Sequence, residues 1–294
     1  MKNYFKKNKW IPGSVFLVSA VMSSSMIVHD THSWPRFMAG LAELNRAEKP
    51  QEEHRQETIR PQAINIPIFI YHSITTPYPG KTALQDAYDI TPELLEAHLQ
   101  YLESHGYTTI SFDDLADYFD TGKPLPPHPV MLNFDDGWKN QFVYAFPLLR
   151  KYHDIATFFV FTNAVGSKHF LSWEEIEEMV QSGMRMGAHT KTHPFLDRMT
   201  DADKINSEIM ESKKILENRL HQPVSAFAYP FGSYDDRIVS AVKEAGFRTA
   251  RTIYRGVHHK ESDRYTLKGI LVSDSMEDFV RMLEAAQKEN AAAR

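Results

Sequence analysis

Asp135 and Asp136 form an adjacent pair of carboxylates in the string Asn133-Phe134-Asp135-Asp136-Gly137, directly after the apolar run Val130-Met131-Leu132. Two neighbouring acids at a strand end, followed by a glycine that permits a tight turn, have different reach. One can bind a cation while the other stays free as a base. A second cluster, His189-Thr190-Lys191-Thr192-His193-Pro194, also follows an apolar run. Imidazoles four residues apart converge on one metal if the turn is helical, and with one carboxylate they make the two-His, one-carboxylate set of catalytic Zn²⁺ or Fe²⁺ sites. A third segment, Tyr229-Pro230-Phe231-Gly232, runs from a strand into a Pro/Gly turn whose backbone N–H groups could face a developing oxyanion. Taken singly, each has an ordinary explanation: a helix cap and turn, solvated histidines in a chain that has 14 of them, and a plain turn.

Chemistry of this kind needs a frame that brings separate strand ends together. From Ile66 onward, short apolar and β-branched runs alternate with amphipathic segments. The runs at 66–74, 107–111, 130–134, 156–162, 184–188, 226–229 and 267–272 read as strands. Helices are expected at 113–119, 141–152, 173–181, 201–220 and 236–245. A further helix follows Thr91-Pro92, with Thr91 as N-cap, Pro92 at the first position, Leu95, Leu99 and Leu102 on one face, and Gly106 at the C-terminal cap. Strict alternation argues for a parallel sheet covered by helices, and seven or eight repeats favour a barrel over an open sheet. In such barrels the chemistry belongs at the C-terminal ends of the strands, where all three segments fall.

The remainder bounds the function. With 33 Lys+Arg against 38 Asp+Glu the net charge is −5, which argues against a nucleic-acid partner. Hydrophobic residues at 42% supply a sizeable core, and the absence of cysteine excludes disulfide scaffolds, thiolate metal sites and Cys nucleophiles. Lys2, Lys6, Lys7 and Lys9 precede a mostly apolar run at 10–28, with no acidic residue before Asp30. Residues 1–30 therefore read as a signal peptide or an N-terminal membrane anchor, which takes the protein out of the cytoplasm. Residues 31–63 read as a polar linker and 64–294 as the catalytic domain.

In this order and at these spacings, the Phe-Asp-Asp-Gly and His-x-x-x-His-Pro elements resemble the polysaccharide deacetylase family, also called the NodB homology domain or carbohydrate esterase family 4. The resemblance covers roughly residues 66–280. It implies a distorted (β/α)7 barrel and metal-dependent removal of acetyl groups from N-acetylglucosamine units. Carried over, Asp135 is the catalytic base, and Asp136, His189 and His193 hold a divalent metal, Zn²⁺ first, with Co²⁺, Ni²⁺, Mn²⁺ or Fe²⁺ also compatible.

Two departures matter. Where the family has a Leu-x-His motif that supplies the acid, this chain has Leu271-Val272-Ser273-Asp274, and Ala228 stands where an Arg commonly orients the base. Tyr71-His72-Ser73, at the end of the first strand, offers a replacement acid. The Tyr-His pair and the two missing motifs resemble the subgroup that includes the IcaB and PgaB deacetylases of poly-β-1,6-N-acetylglucosamine, which implies His72 as general acid. Tyr229, Trp173 and Tyr234, and beside them Trp138, are candidates for contact with sugar rings. His258 and His259, in a polar stretch, are expected to be solvated loop residues. The expected function is an exported or membrane-tethered N-deacetylase of a biofilm polymer, with an N-acetylglucosamine polymer as partner. Peptidoglycan or chitin-oligosaccharide deacetylation is the alternative substrate reading. A non-catalytic carbohydrate-binding protein on a decayed scaffold is the alternative class.

Overall fold

The computed structural model describes residues 63–292 apart from 77, 81 and 83–87, so the expected signal or anchor segment and the linker lie outside the described residues. Runs rich in β-branched and aromatic residues form the strands. In chain order these are β1 (Ile64–Asn65), β2 (Ile68–Tyr71), β3 (Ser73–Ile74), β4 (Asp89–Ile90), β5 (Thr108–Thr109), β6 (Pro129–Phe134), β7 (Thr157–Val160), β8 (Arg185–Ala188), β9 (Ala226–Ala228), β10 (Thr249–Arg251), β11 (His258–His259) and β12 (Ile270–Leu271). Seven of them make one parallel sheet in the order β10-β9-β8-β7-β6-β2-β12.

The two edges of this sheet are brought together by the segment that leads into β12. Ala250 N donates to Arg264 O (2.8 Å), Leu267 N to Ala250 O (2.9 Å) and Thr252 N to Leu267 O (2.8 Å), after which Val272 N donates to Ile70 O (3.0 Å). The result is the distorted seven-stranded barrel that the resemblance implies.

Its core is split in two by the period-2 alternation of the strands. Phe69, Tyr71, Leu132, Phe134, Phe158, Phe227 and Tyr229 pack outward against the helices. Ile68, Met131, Phe159, Ala226 and Ala228 pack with Phe112, Leu115 and Phe119 of the helix Phe112–Thr121 in a second, inner cluster. Gly187 is required by this inner packing, because a Cβ there would lie 2.3 Å from the Phe159 ring.

The helices begin where their caps dictate. Thr91 Oγ1 accepts from Leu94 N at the start of Pro92–Ser104, and Ser111 with Asp114 and Ser172 with Glu175 form capping boxes. Leu95, Leu99 and Leu102 are fully buried on one face of Pro92–Ser104, each worth about 2 kcal/mol of transfer free energy.

Three differences from the sequence expectations have physical causes. The expected strand at 107–111 is reduced to β5, which pairs only with the start of β6, and the seventh barrel strand is instead β10, which has too few apolar residues to show as a strand. His258 and His259 are not solvated loop residues. They form β11, antiparallel to β1, and His259 is fully buried with its Nε2 2.9 Å from Ile66 O. Burial holds its pKa down at about 4. The expected helix at 141–152 opens with a π-helical turn, Gln141–Ala145, before the α-helix Phe146–Lys151. No helix among the described residues is long and apolar enough to cross a membrane.

Candidate active site

The inner-face alternation that places Met131 in the barrel continues through Asn133 to Asp135, at the C-terminal end of β6. The chain then turns in left-handed conformation at Asp136 (φ 71°) and Gly137 (φ 72°). Gly137 has no alternative, since a Cβ would meet Val160 Cγ1 at 2.8 Å. The turn swings Asp136 across to the strand end of β8, where His189 and His193 stand. Thr190 (φ 68°), His193 (φ 59°) and Phe231 (φ 59°) are also left-handed, so four of the seven non-glycine residues in this costly region among the described residues line one cavity or adjoin its lining.

That cavity holds about 410 Å³ and is lined by His72, Asp135, Asp136, His189, His193 and Phe231, among others. Asp136 Oδ1 lies 3.3 Å from His193 Nε2 and 3.6 Å from His189 Nε2, and the two imidazole nitrogens are 3.1 Å apart. A tetrahedral ion with ligands about 2.0–2.2 Å away would set them about 3.3–3.6 Å from one another. The donor set therefore fits a small divalent cation.

The surroundings prepare it for one. His189 Nδ1 is 2.7 Å from Ala228 O; a carbonyl only accepts, so Nδ1 carries the proton and Nε2 keeps its lone pair. Burial lowers the His189 pKa to about 4, which keeps the ring neutral. Burial pushes the Asp136 carboxyl up, but the hydrogen bond from His193 and the surrounding imidazoles more than reverse this and hold it well below the usual carboxylate range. Its other oxygen, Oδ2, accepts from Trp138 Nε1 at 3.1 Å. Asp136, His189 and His193 are the one cation-competent group of three such side chains found among the described residues.

Asp135 is held apart from this set. It is 2% exposed, its Oδ1 accepts from the Arg251 guanidinium, and its Oδ2 faces His72 Nε2 at 3.8 Å. Arg251 is fully buried, with its guanidinium 5.0 Å from the centre of the Phe159 ring. It is also the register partner of Ala228: β9 and β10 run parallel with Arg251 opposite Ala228. The arginine missing from position 228 is thus replaced by one on the next strand. Sequence reasoning missed it, and its one local signal was an Arg closing the short run Thr249-Ala250-Arg251.

The remaining candidates divide. Tyr229 lines the cavity and its hydroxyl donates to Tyr265 O at 2.9 Å. In the turn after it, Gly232 N donates to Tyr229 O and Ser233 N to Pro230 O, which leaves the Phe231 N–H outside these two bonds. The Phe231 ring is 46% exposed, stacked on Phe195 at 3.7 Å and edge-on to His193 at 4.6 Å. Tyr234 stacks behind Tyr229 at 5.1 Å and is not part of the cavity lining. Trp173 is not in the lining either; it begins the helix Trp173–Gln181, with the Arg219 guanidinium 5.8 Å from its ring centre. Trp138 spends its N–H on Asp136 and stacks on Phe170 at 4.5 Å. Tyr88, unremarked in the sequence, places its ring 4.7 Å from that of His72 and lines the cavity.

Comparison with known proteins agrees with this geometry. A family model described as polysaccharide deacetylase matches residues 122–250. The solved structure of a Streptococcus pyogenes deacetylase, PplD, in complex with acetate is 27% identical, with 76% of this chain and 99% of that one covered and a TM-score of 0.70. A Bacillus anthracis protein assigned to the polysaccharide deacetylases is 30% identical, with 75% and 69% covered and a TM-score of 0.65. The poly-β-1,6-N-acetyl-D-glucosamine N-deacetylase of Staphylococcus epidermidis is 28% identical over 216 residues, which is 69% of this chain and 74% of that one.

Proposed function

Because this chain belongs to the polysaccharide deacetylase family, and so to the amide hydrolases, we propose that it is a metal-dependent N-deacetylase of an N-acetylglucosamine polymer outside the cytoplasm. The observation that carries the reading is one cavity in which Asp136, His189 and His193 converge beside a buried Asp135 that faces His72. Asp136, His189 and His193 would hold the cation, and Zn²⁺ suits this donor set best. When bound, the ion supplies Lewis-acid polarisation of the acetyl carbonyl and acidifies the attacking water.

The chain's own groups supply the proton transfers. Asp135 Oδ2, left free because Arg251 occupies Oδ1, takes a proton from water as oxygen bonds to the acetyl carbon. His72 Nε2 gives a proton to the departing nitrogen as the C–N bond breaks, so acetate and an amine leave. The Phe231 N–H faces the carbonyl oxygen as negative charge develops there. The exposed Phe231 ring offers an apolar face to a sugar.

For the linkage, the Tyr71-His72 pair, the absent Leu-x-His and the Staphylococcus epidermidis relative favour a β-1,6 polymer. Each turnover leaves an amine that is cationic near neutral pH, so a neutral polymer gains charge and adheres to anionic surfaces, as a biofilm matrix requires. Export by residues 1–30, as a cleaved signal or as a tether, belongs to the same proposal. Acetate release from matched β-1,6 and β-1,4 N-acetylglucosamine oligomers tests the reading. Release mainly from the β-1,4 series would move the substrate to peptidoglycan or chitin.

A further inference from the structure

We propose that Gln141 is a positioning residue that fixes the separation of Asp135 and His72; the inference rests on the reading of these two as base and acid. The last ladder hydrogen bond between β2 and β6 runs from Asp135 N to Tyr71 O at 2.9 Å. Beyond it the register between the two strands ends, and among the described residues the carbonyls of His72 and Asp135 have no backbone partner. The Gln141 amide nitrogen meets both, at 2.7 Å from His72 O and 2.6 Å from Asp135 O. A side-chain amide has two N–H groups, so one donor serves each carbonyl. The reverse orientation of the amide would set its oxygen against two carbonyl oxygens, and the network therefore fixes it.

Gln141 is fully buried, and its Oε1 has no hydrogen-bond partner among the described residues. A buried glutamine that leaves its own acceptor unsatisfied in order to spend both donors on two strand ends is placed for those two carbonyls. It is also the first residue of the π-helical turn Gln141–Ala145, and such wide turns recur at functional sites. Asn140, just before it, extends the bridge: its Nδ2 donates to Ser73 Oγ at 2.9 Å and its Oδ1 accepts from Ile74 N at 3.4 Å. Successive amides thus tie the turn after β6 to the residues that follow β2. Gln141 itself does not line the cavity, so it acts through the residues it holds. The side chains of those residues stand 3.8 Å apart, and a misplacement of about 1 Å can cost about 100-fold in rate.

The test uses the full, metal-loaded chain with an N-acetylated β-1,6 oligomer. Gln141→Met keeps the length of the side chain and removes both donors. Its kcat per bound metal should fall about 10- to 100-fold, while KM and metal stoichiometry stay close to the parent's; the thermal midpoint should drop, because two carbonyls lose their donors. Asn140→Ala, at a half-exposed position that tolerates truncation, should show the same pattern with a smaller drop, and it carries the test if Gln141→Met does not fold. Unchanged kcat per bound metal in either folded variant overturns the inference, as does a loss explained by KM or metal content. A parent protein that releases no acetate overturns the functional reading itself, which is a separate outcome.

Discussion

Arg251 reaches Asp135 from the strand position directly beside Ala228, so the buried carboxylate at the head of β6 has one oxygen tied to a guanidinium and the other turned to His72. Both partners of the pair are almost wholly buried, and among the described residues the guanidinium has no other carboxylate. Replacing Arg251 with Met should leave Asp135 as an uncompensated buried charge, costing roughly 3–5 kcal/mol of stability, because breaking a buried pair from one side is strongly destabilising. Thermal denaturation of the variant checks this, and turnover should fall with it. A thermal midpoint within a degree of the parent would mean that the pair does not carry the charge of Asp135.

Asp135 and His193 should separate chemistry from metal binding. Asp135→Asn keeps the shape of the site and should lower turnover at least about 1000-fold with full metal content, within the range that general-base removal costs. His193→Ala removes one of three converging donors and should lose metal and activity together. Metal analysis beside acetate release checks both. An active Asp135→Asn would remove it as the base.

His72 is expected to act late, on the leaving nitrogen. His72→Ala should lower kcat about 100-fold or more without changing metal stoichiometry, since its ring is not among the converging donors. An unchanged rate would exclude it from the proton transfers.

Two buried histidines outside the site set a pH dependence of stability. His98 and His259 are pushed down to about 4 by burial, from the ordinary value of 6.5. The unfolded chain therefore takes up protons below about pH 6.5 that the folded one accepts only near pH 4, and stability falls as pH drops through that window. The slope is at most about 1.4 kcal/mol per pH unit for each histidine. Asp154, raised to about 6 by burial, works in the opposite sense across the same range. Comparing the parent with a His98→Phe, His259→Gln double variant cancels that term. The variant should lose less stability between pH 6.5 and 4.5 in denaturant titrations, and parallel curves would contradict the assignment.

What could be read in the sequence was local. Asp135-Asp136-Gly137, His189 to His193 and Tyr229 to Gly232 are contiguous strings at the ends of apolar runs, and the barrel rule tells where such ends meet. The Thr91-Pro92 cap was equally plain and starts its helix where side-chain chemistry demands. What could not be read depended on register and on packing. Arg251 matters because β10 aligns it with Ala228, and nothing in Thr249-Ala250-Arg251 announces a strand. Gln141 looks like the polar face of an ordinary amphipathic helix until the π-turn points it at two carbonyls. His259 follows a polar neighbour and still goes inside, because β11 pairs with β1.

The proposed reaction is hydrolysis of an N-acetyl group in the cavity at the head of the barrel, with a bound cation. Acetate release by the purified chain from N-acetylated β-1,6-glucosamine oligomers, before and after chelation and again after metal is restored, tests it most directly. Release should stop with the chelator and return with Zn²⁺ or another divalent ion. No release in any metal-loaded state, or release that the chelator leaves untouched, would contradict it.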